Sequence, residues 1–239
     1  MENHIHSVTF GGQNLSTAFR VYPSGNESFN TPERAVEVVE VPGKNGDLTF
    51  DLGRFKNIEV SYPCFIAEDL ETNLNALTAF LGSQKGYKKL EDTYHPSYYR
   101  MGMFIGPLEQ EIILLQAGVF TLTFNCKPQK FLTSGDTVQS FTSDSSITNP
   151  TLYDSKPLLR VYGNGTVGIG AFSFTVTNNA NSNLYIDCET MDCYRGSTNC
   201  NSYVTFTDNT FPVLVPGSNG IDLGSGITQV KITPRWWTI

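Results

Sequence analysis

Two carboxylates, Asp187 and Glu189, flank Cys188 at the end of the run Asn183-Leu184-Tyr185-Ile186-Asp187-Cys188-Glu189. On an extended strand they project from one face with Cα atoms roughly 6.5 to 7 Å apart, a separation from which paired acids could approach glycosidase geometry. Leu184, Ile186 and Cys188 form the opposite, apolar face, so the plainer reading places both acids on the solvent side of a half-buried strand. No catalytic residue is therefore assigned. His4 and His6 also share one face of a short strand, but His95 is remote and no Cys or carboxylate lies at a ligand spacing beside them. Cys188, Cys193 and Cys200 have the spacing C-x4-C-x6-C, which matches no zinc signature. Neither a metal nor a cofactor is expected.

Other reactive patterns are equally sparse. There is no G-x-S-x-G elbow, and Gly163-Asn164-Gly165 with Gly168 and Gly170 lacks the lysine and following helix of a phosphate cradle. Those glycines read as a tight turn. At the C-terminus, Trp236 and Trp237 point to opposite sides of an extended chain, so one of them could stack on a sugar ring. The commoner arrangement is a Trp that seals the end of a sandwich, with Arg235 paired to a nearby acid.

The elements that would position these residues are mainly strands. The 239 residues include 16 Phe, 11 Tyr, 21 Gly and 12 Pro, a composition of short strands punctuated by turns. The net charge of −7 opposes attraction to phosphate backbones and anionic membranes, so no specific nucleic-acid binding and no membrane insertion are expected. Five cysteines, odd in number and scattered, read as reduced thiols. The opening MENHIH lacks the pattern of a secretion signal, and the longest aliphatic run is only Ile112 to Leu115.

Ala35 to Val41, Asn57 to Ile66 and Gly118 to Cys126 read as strands. In the last, Phe120, Leu122, Phe124 and Cys126 share the core face. Between the first two, PGKNGD places Asn45-Gly46 where a two-residue type I′ turn would make a hairpin. Leu70, Leu74, Leu77 and Leu81 fall at helical spacing, with Glu68 and Asp69 expected in the first turn and Gly82 at the close. This predicts one amphipathic helix, packed on its own domain. The polar stretch Lys127 to Pro150 suggests a boundary, dividing the chain into 1–132 and 133–239. Beyond it, Pro157 to Tyr162, Ile169 to Val176, Leu184 to Cys188, Ser202 to Phe206, Phe211 to Val215 and Ile227 to Thr233 read as the strands of a second sandwich.

Several segments in order, GKNGD (43–47), LEDTYHPSYYRMGMF (90–104), GVFTLTFNCKPQKF (118–131), NPTLYDSKPLLRVYGNG (149–165), NLYIDCE (183–189), FPVLVPGSNGI (211–221) and ITPRWW (232–237), span nearly the whole chain. Together they resemble the siphophage distal tail proteins (Dit, the tail hub), a phage tail component family. The resemblance implies a mainly β fold: an N-terminal β-sandwich-like, ring-forming domain with one α-helix and a β-hairpin arm, and a C-terminal galectin-like β-sandwich. It implies a non-enzymatic hub at the virion tail tip, assembled in the host bacterial cytoplasm. Implied too is a homo-hexameric ring joining the major tail tube protein to a tail-tip (Tal-like) protein, with receptor-binding or baseplate proteins as further partners and a channel for DNA. Gly43, Lys44, Asn45, Gly46 and Asp47 are then the candidate ring-interface hairpin. The alternative is a carbohydrate-binding module of a phage adhesion device, with Trp236 and Trp237 as its stacking residues.

Overall fold

A computed structural model of the chain describes residues 6–24, 31–108, 110–114, 117–178 and 182–239, the side chains of 110–114 excepted. The chain is mainly β and divides into two compact units, residues 1–130 with Ile239, and Phe131–Thr238.

The first unit contains β1 (Val8–Phe10), β2 (Gln13–Asn14), α1 (Leu15–Phe19), β3 (Val21–Pro23), β4 (Arg34–Val39), β5 (Leu48–Phe55), β6 (Ile58–Ile66), α2 (Leu70–Ser83), β7 (Lys88–Asp92), β8 (Tyr98–Phe104), β9 (Gln110–Leu114) and most of β10 (Ala117–Leu132). Its main sheet runs β2-β1-β7-β8-β10-β6-β3, and β9 pairs with β10. The spine is the antiparallel pair β6–β10, in register from Ile58 opposite Cys126 to Ile66 opposite Gly118. Phe120, Leu122, Phe124 and Cys126 all turn inward and are buried, as their alternation requires. Phe124 meets Phe10 at 4.7 Å between ring centroids, and Phe10 meets Phe80 of α2 edge-on.

Helix α2 buries Leu70, Leu77 and Leu81 and half-buries Leu74 against this core. Both of its ends differ from the sequence expectation. Glu68 and Asp69 precede the first turn; Asp69 sits at the N-cap in a left-handed conformation, and Glu71 is the first-turn acid. Gly82 continues the helix, which ends at Ser83 with Gln84 as its cap, since the Leu81 carbonyl accepts the Gln84 N–H without a left-handed residue. The five-residue α1 was not expected. It is too short for an apolar period and is nucleated locally, with Asn14 Oδ1 accepting the N–H groups of Ser16 and Thr17 at 3.0 and 3.1 Å.

The second unit contains β11 (Gln139–Phe141), β12 (Ser145–Asn149), β13 (Leu158–Gly163), β14 (Gly165–Ile169), β15 (Phe172–Val176), β16 (Asn183–Asp187), β17 (Asp192–Arg195), β18 (Thr198–Asn199), β19 (Val204–Phe206), β20 (Gly217–Leu223), β21 (Ile227–Thr233) and β22 (Trp237–Thr238). Two sheets, β11-β21-β13-β16-β17-β18 and β12-β20-β14-β15-β19, enclose one core. Leu159, Val161, Leu184, Ile186, Val230 and Ile232 from the first sheet meet Ile147, Val167, Ile169, Phe174, Val176 and Ile221 from the second.

Lys127 to Pro150, the polar stretch expected to hold the boundary, supplies the end of β10 and all of β11 and β12, and its apolar residues Phe141 and Ile147 are core residues. Two later segments differ from the sequence expectation. Ile169 to Val176 is not one strand, because Gly170 takes a positive φ of 58° and turns β14 back into β15. Phe211 to Val215 is not a strand either. Leu214 is buried through a single bridge to Ser155, and its carbonyl accepts from the Asn149 amide.

Candidate assembly interface

Among the described residues, strands β4 and β5 pair only with each other, forming a two-stranded sheet of their own within the first unit. Pairs run from Arg34 opposite Phe55 to Val39 opposite Leu48, with a register shift after Arg34. The hairpin foreseen around Asn45-Gly46 is present, but its turn is not type I′. Asn45 lacks the positive φ that such a turn requires, whereas Gly43 and Gly46 both stand at 82°. The Lys44 N–H donates to the Val41 carbonyl at 3.1 Å. Pro42 and Gly43 therefore occupy the central positions of a type II turn, where Pro fixes the first φ and Gly supplies the positive second one.

The base of the hairpin is held by polar contacts. Arg34 Nη1 donates to Asp51 Oδ2 at 2.5 Å and its guanidinium lies 5.0 Å from the Phe55 ring centre, while Lys56 pairs with Glu33 at 3.1 Å. The Gly53 N–H and then Arg34 hold the Asp51 carboxyl below its ordinary range. Ala35 and Pro32 are buried, and every residue from Val36 to Arg54 is exposed.

That exposed stretch carries the wrong residues for open solvent. Val39, Leu48, Phe50 and Leu52 share one face, with Phe50 50% and Leu52 48% exposed; Val36 and Val38 lie on the other, with Val38 57% exposed. Scattered apolar residues are ordinary on a surface, but a contiguous band on a thin two-faced ribbon marks an interaction site. An isolated hairpin is also marginal in water and gains most by lying against another surface. Gly43, Lys44, Asn45, Gly46 and Asp47 form the exposed tip of this ribbon. They mark its place, but the apolar band lies in the strands behind them, where alternating Val, Leu and Phe gave the signal.

The other candidates from the sequence go elsewhere. Asp187 is not on a solvated face: it is buried at the end of β16, where Arg235 grips it with two hydrogen bonds of 2.7 and 2.9 Å. Burial alone would raise its pKa, but Arg235 and the N–H groups of Glu189 and Thr190 together hold it below the usual carboxylate range. Glu189 has left the strand and pairs with Lys156 at 3.5 Å, so the two acids do not face a common pocket. Trp236 is buried in the second core. Trp237 is half-buried, stacked on Tyr153 at 4.4 Å and donating Nε1–H to the Asp154 carbonyl.

His4 lies outside the described residues. His6 stacks on Tyr94, and the His95 N–H donates to Asp92 Oδ1. All five cysteines are free and buried, and burial pushes the Cys64, Cys126 and Cys193 thiols up to about 12. Among the described residues, no group of three or more His, Cys, Asp or Glu is placed to hold a metal ion, and no helix is long and apolar enough to cross a membrane.

The fold is mainly β, in two units. It is shared with the crystal structure of the SPP1 Dit (gp 19.1) protein, a paradigm of hub adsorption apparatus in phages that infect Gram-positive bacteria, at a TM-score of 0.71. The likeness covers 98% of this chain and 100% of that one, at 12% sequence identity. No protein-family model and no curated protein matches the chain.

Proposed function

We propose that this chain is a structural hub of a bacteriophage tail tip. Identical copies close into a ring, six in number, through the β4–β5 ribbon, which lies across a neighbouring copy and buries its two apolar faces there. Closed cyclic assembly gives every ribbon a partner and leaves none at an open end. The ring joins the major tail tube protein to a tail-tip (Tal-like) protein, carries receptor-binding or baseplate proteins, and leaves a channel for DNA in the virion tail. The whole-length fold likeness to a phage hub supports this reading. So does the net charge of −7, which favours passage of DNA over adhesion to it.

The observation that carries the proposal is the unbroken exposure of Val36 to Arg54 on a hairpin rich in Val, Leu and Phe. Its role as an arm, rather than a catalytic one, follows from that. Negative-stain images of the purified chain should show six-fold rings, and deleting residues 42–48 should reduce them to smaller species. Rings that persist unchanged after the deletion would contradict the assignment of the arm.

A further inference from the structure

The outer face of the six-stranded sheet in the second unit carries a row of residues that core packing does not explain. Lys231 of β21, Arg160 of β13, Tyr185 of β16 and Tyr194 of β17 stand directly opposite one another in register, all on the face away from the core and all part-exposed. Tyr162, two residues along β13, lies on the same face between Gln229 and Asn183.

The Arg160 guanidinium is 5.1 Å from the Tyr162 ring centre and 5.2 Å from that of Tyr185, and Lys231 Nζ lies 5.7 Å from Tyr162. Arg160 Nε donates to Asn183 Oδ1 at 3.0 Å. Neither cation has a carboxylate partner among the described residues, in a chain whose acids outnumber its bases. Aromatic rings fix these charges without neutralising them, and the Arg160 Nη groups, the fork that fits a carboxylate or phosphate, have no acceptor among the described residues.

Beside the row lies an open groove of about 500 Å³ lined by Tyr162, Asn164, Ser182, Asn183 and Thr228, with Gly163 and Gly226 in its floor. A Cβ on Gly163 would collide with the Gly226 carbonyl, so the two backbones meet there at the closest approach glycine permits. Tyr162, Ser182 and Thr228 bring hydroxyls to this lining, and Asn164 and Asn183 bring amides. They suit the alternating donors and acceptors of a polyol, whereas two unpaired cations are too few to carry a nucleic-acid backbone against a net charge of −7.

We propose that this face binds an acidic oligosaccharide: Arg160 and Lys231 receive its carboxylate or phosphate groups, and Tyr162, Asn183 and Gln229 contact its hydroxyls. The site is separate from Trp236 and Trp237 and does not depend on ring formation.

The test is calorimetric titration of the full chain at low salt with four probes. These are an oligogalacturonate, a poly(glycerol phosphate), neutral maltoheptaose, and an oligoglutamate matched in charge. One or both acidic polyols should bind, which identifies the anionic group, and affinity should fall with added salt. Arg160→Gln and Lys231→Gln should each weaken binding at least ten-fold, with unchanged thermal melting, while Lys44→Gln on the hairpin should leave it intact. The proposal is overturned if neither acidic polyol binds more tightly than maltoheptaose, or if oligoglutamate binds equally well. It also fails if both sheet variants bind like the parent chain.

Discussion

Strands β5 and β6 are neighbours in sequence, separated by two residues, and both alternate apolar with polar side chains, yet they end in opposite environments. In β6, Ile58, Tyr62, Cys64 and Ile66 are buried because β10 on one side and β3 on the other extend the sheet over a common core. In β5, Leu48, Phe50 and Leu52 are exposed because, among the described residues, the strand pairs with β4 alone and no layer of the first unit covers either face. Alternation specifies that a face wants burial, and only topology decides whether the same chain provides it. Where it does not, a second molecule is the natural source.

The contrast can be broken most severely in the buried strands. Phe124→Ala in β10 removes a ring in contact with Phe10, Tyr62 and Phe104 and should lower unfolding free energy by about 3–5 kcal/mol in denaturant titrations. Asp187→Asn should cost about 2 kcal/mol at neutral pH, because it leaves the half-buried Arg235 without its charge partner. The pH dependence has a definite sign. The folded carboxyl titrates below its ordinary 3.8, so its contribution is complete above pH 3.8 and is lost as the pH falls through the folded value. Melting curves of parent and variant should therefore converge in acid, whereas a gap that widened there would contradict the ion-pair role.

Ser61→Ala breaks one cross-strand hydroxyl contact with Thr123, 2.9 Å long, and should cost about 0.5–1 kcal/mol. Leu52→Ala, which deletes a side chain as large as the buried Ile58 and Ile66 of β6, should change the stability of an unassembled subunit by only about 0.5 kcal/mol or less. A loss approaching that of Phe124→Ala would mean the ribbon is packed within its own subunit.

Local patterns made much of this legible in the sequence. The core face of β10, the leucine stripe of α2, β21 over its full length and the hairpin itself follow from periodicity and turn residues. The errors cluster where the outcome depends on distant partners. Asp187 reads as solvent-facing by alternation alone, since its partner Arg235 lies on a distant segment of the chain. Phe141 and Ile147 sit in a polar run, and each becomes a core residue only through pairing with β21 and β20.

The same non-locality hid the Lys231-Arg160-Tyr185-Tyr194 row. Each member occupies an outward position next to core residues such as Leu159, Val161, Leu184 and Ile186, and only the register of four strands aligns them. The turn type at the ribbon tip failed for a smaller reason. Pro42-Gly43 and Asn45-Gly46 are both good turn pairs, and the loop is long enough to use the first.

In the proposed ring, another copy of this chain covers the apolar faces of β4 and β5. Light scattering across a concentration series, on the parent and on a Phe50→Asp, Leu52→Asp double variant, addresses it most directly. A parent mass of several subunits that collapses to one subunit in a variant with parental thermal stability is the predicted result. A parent that stays monomeric at every concentration, or a variant that assembles as the parent does, would contradict it.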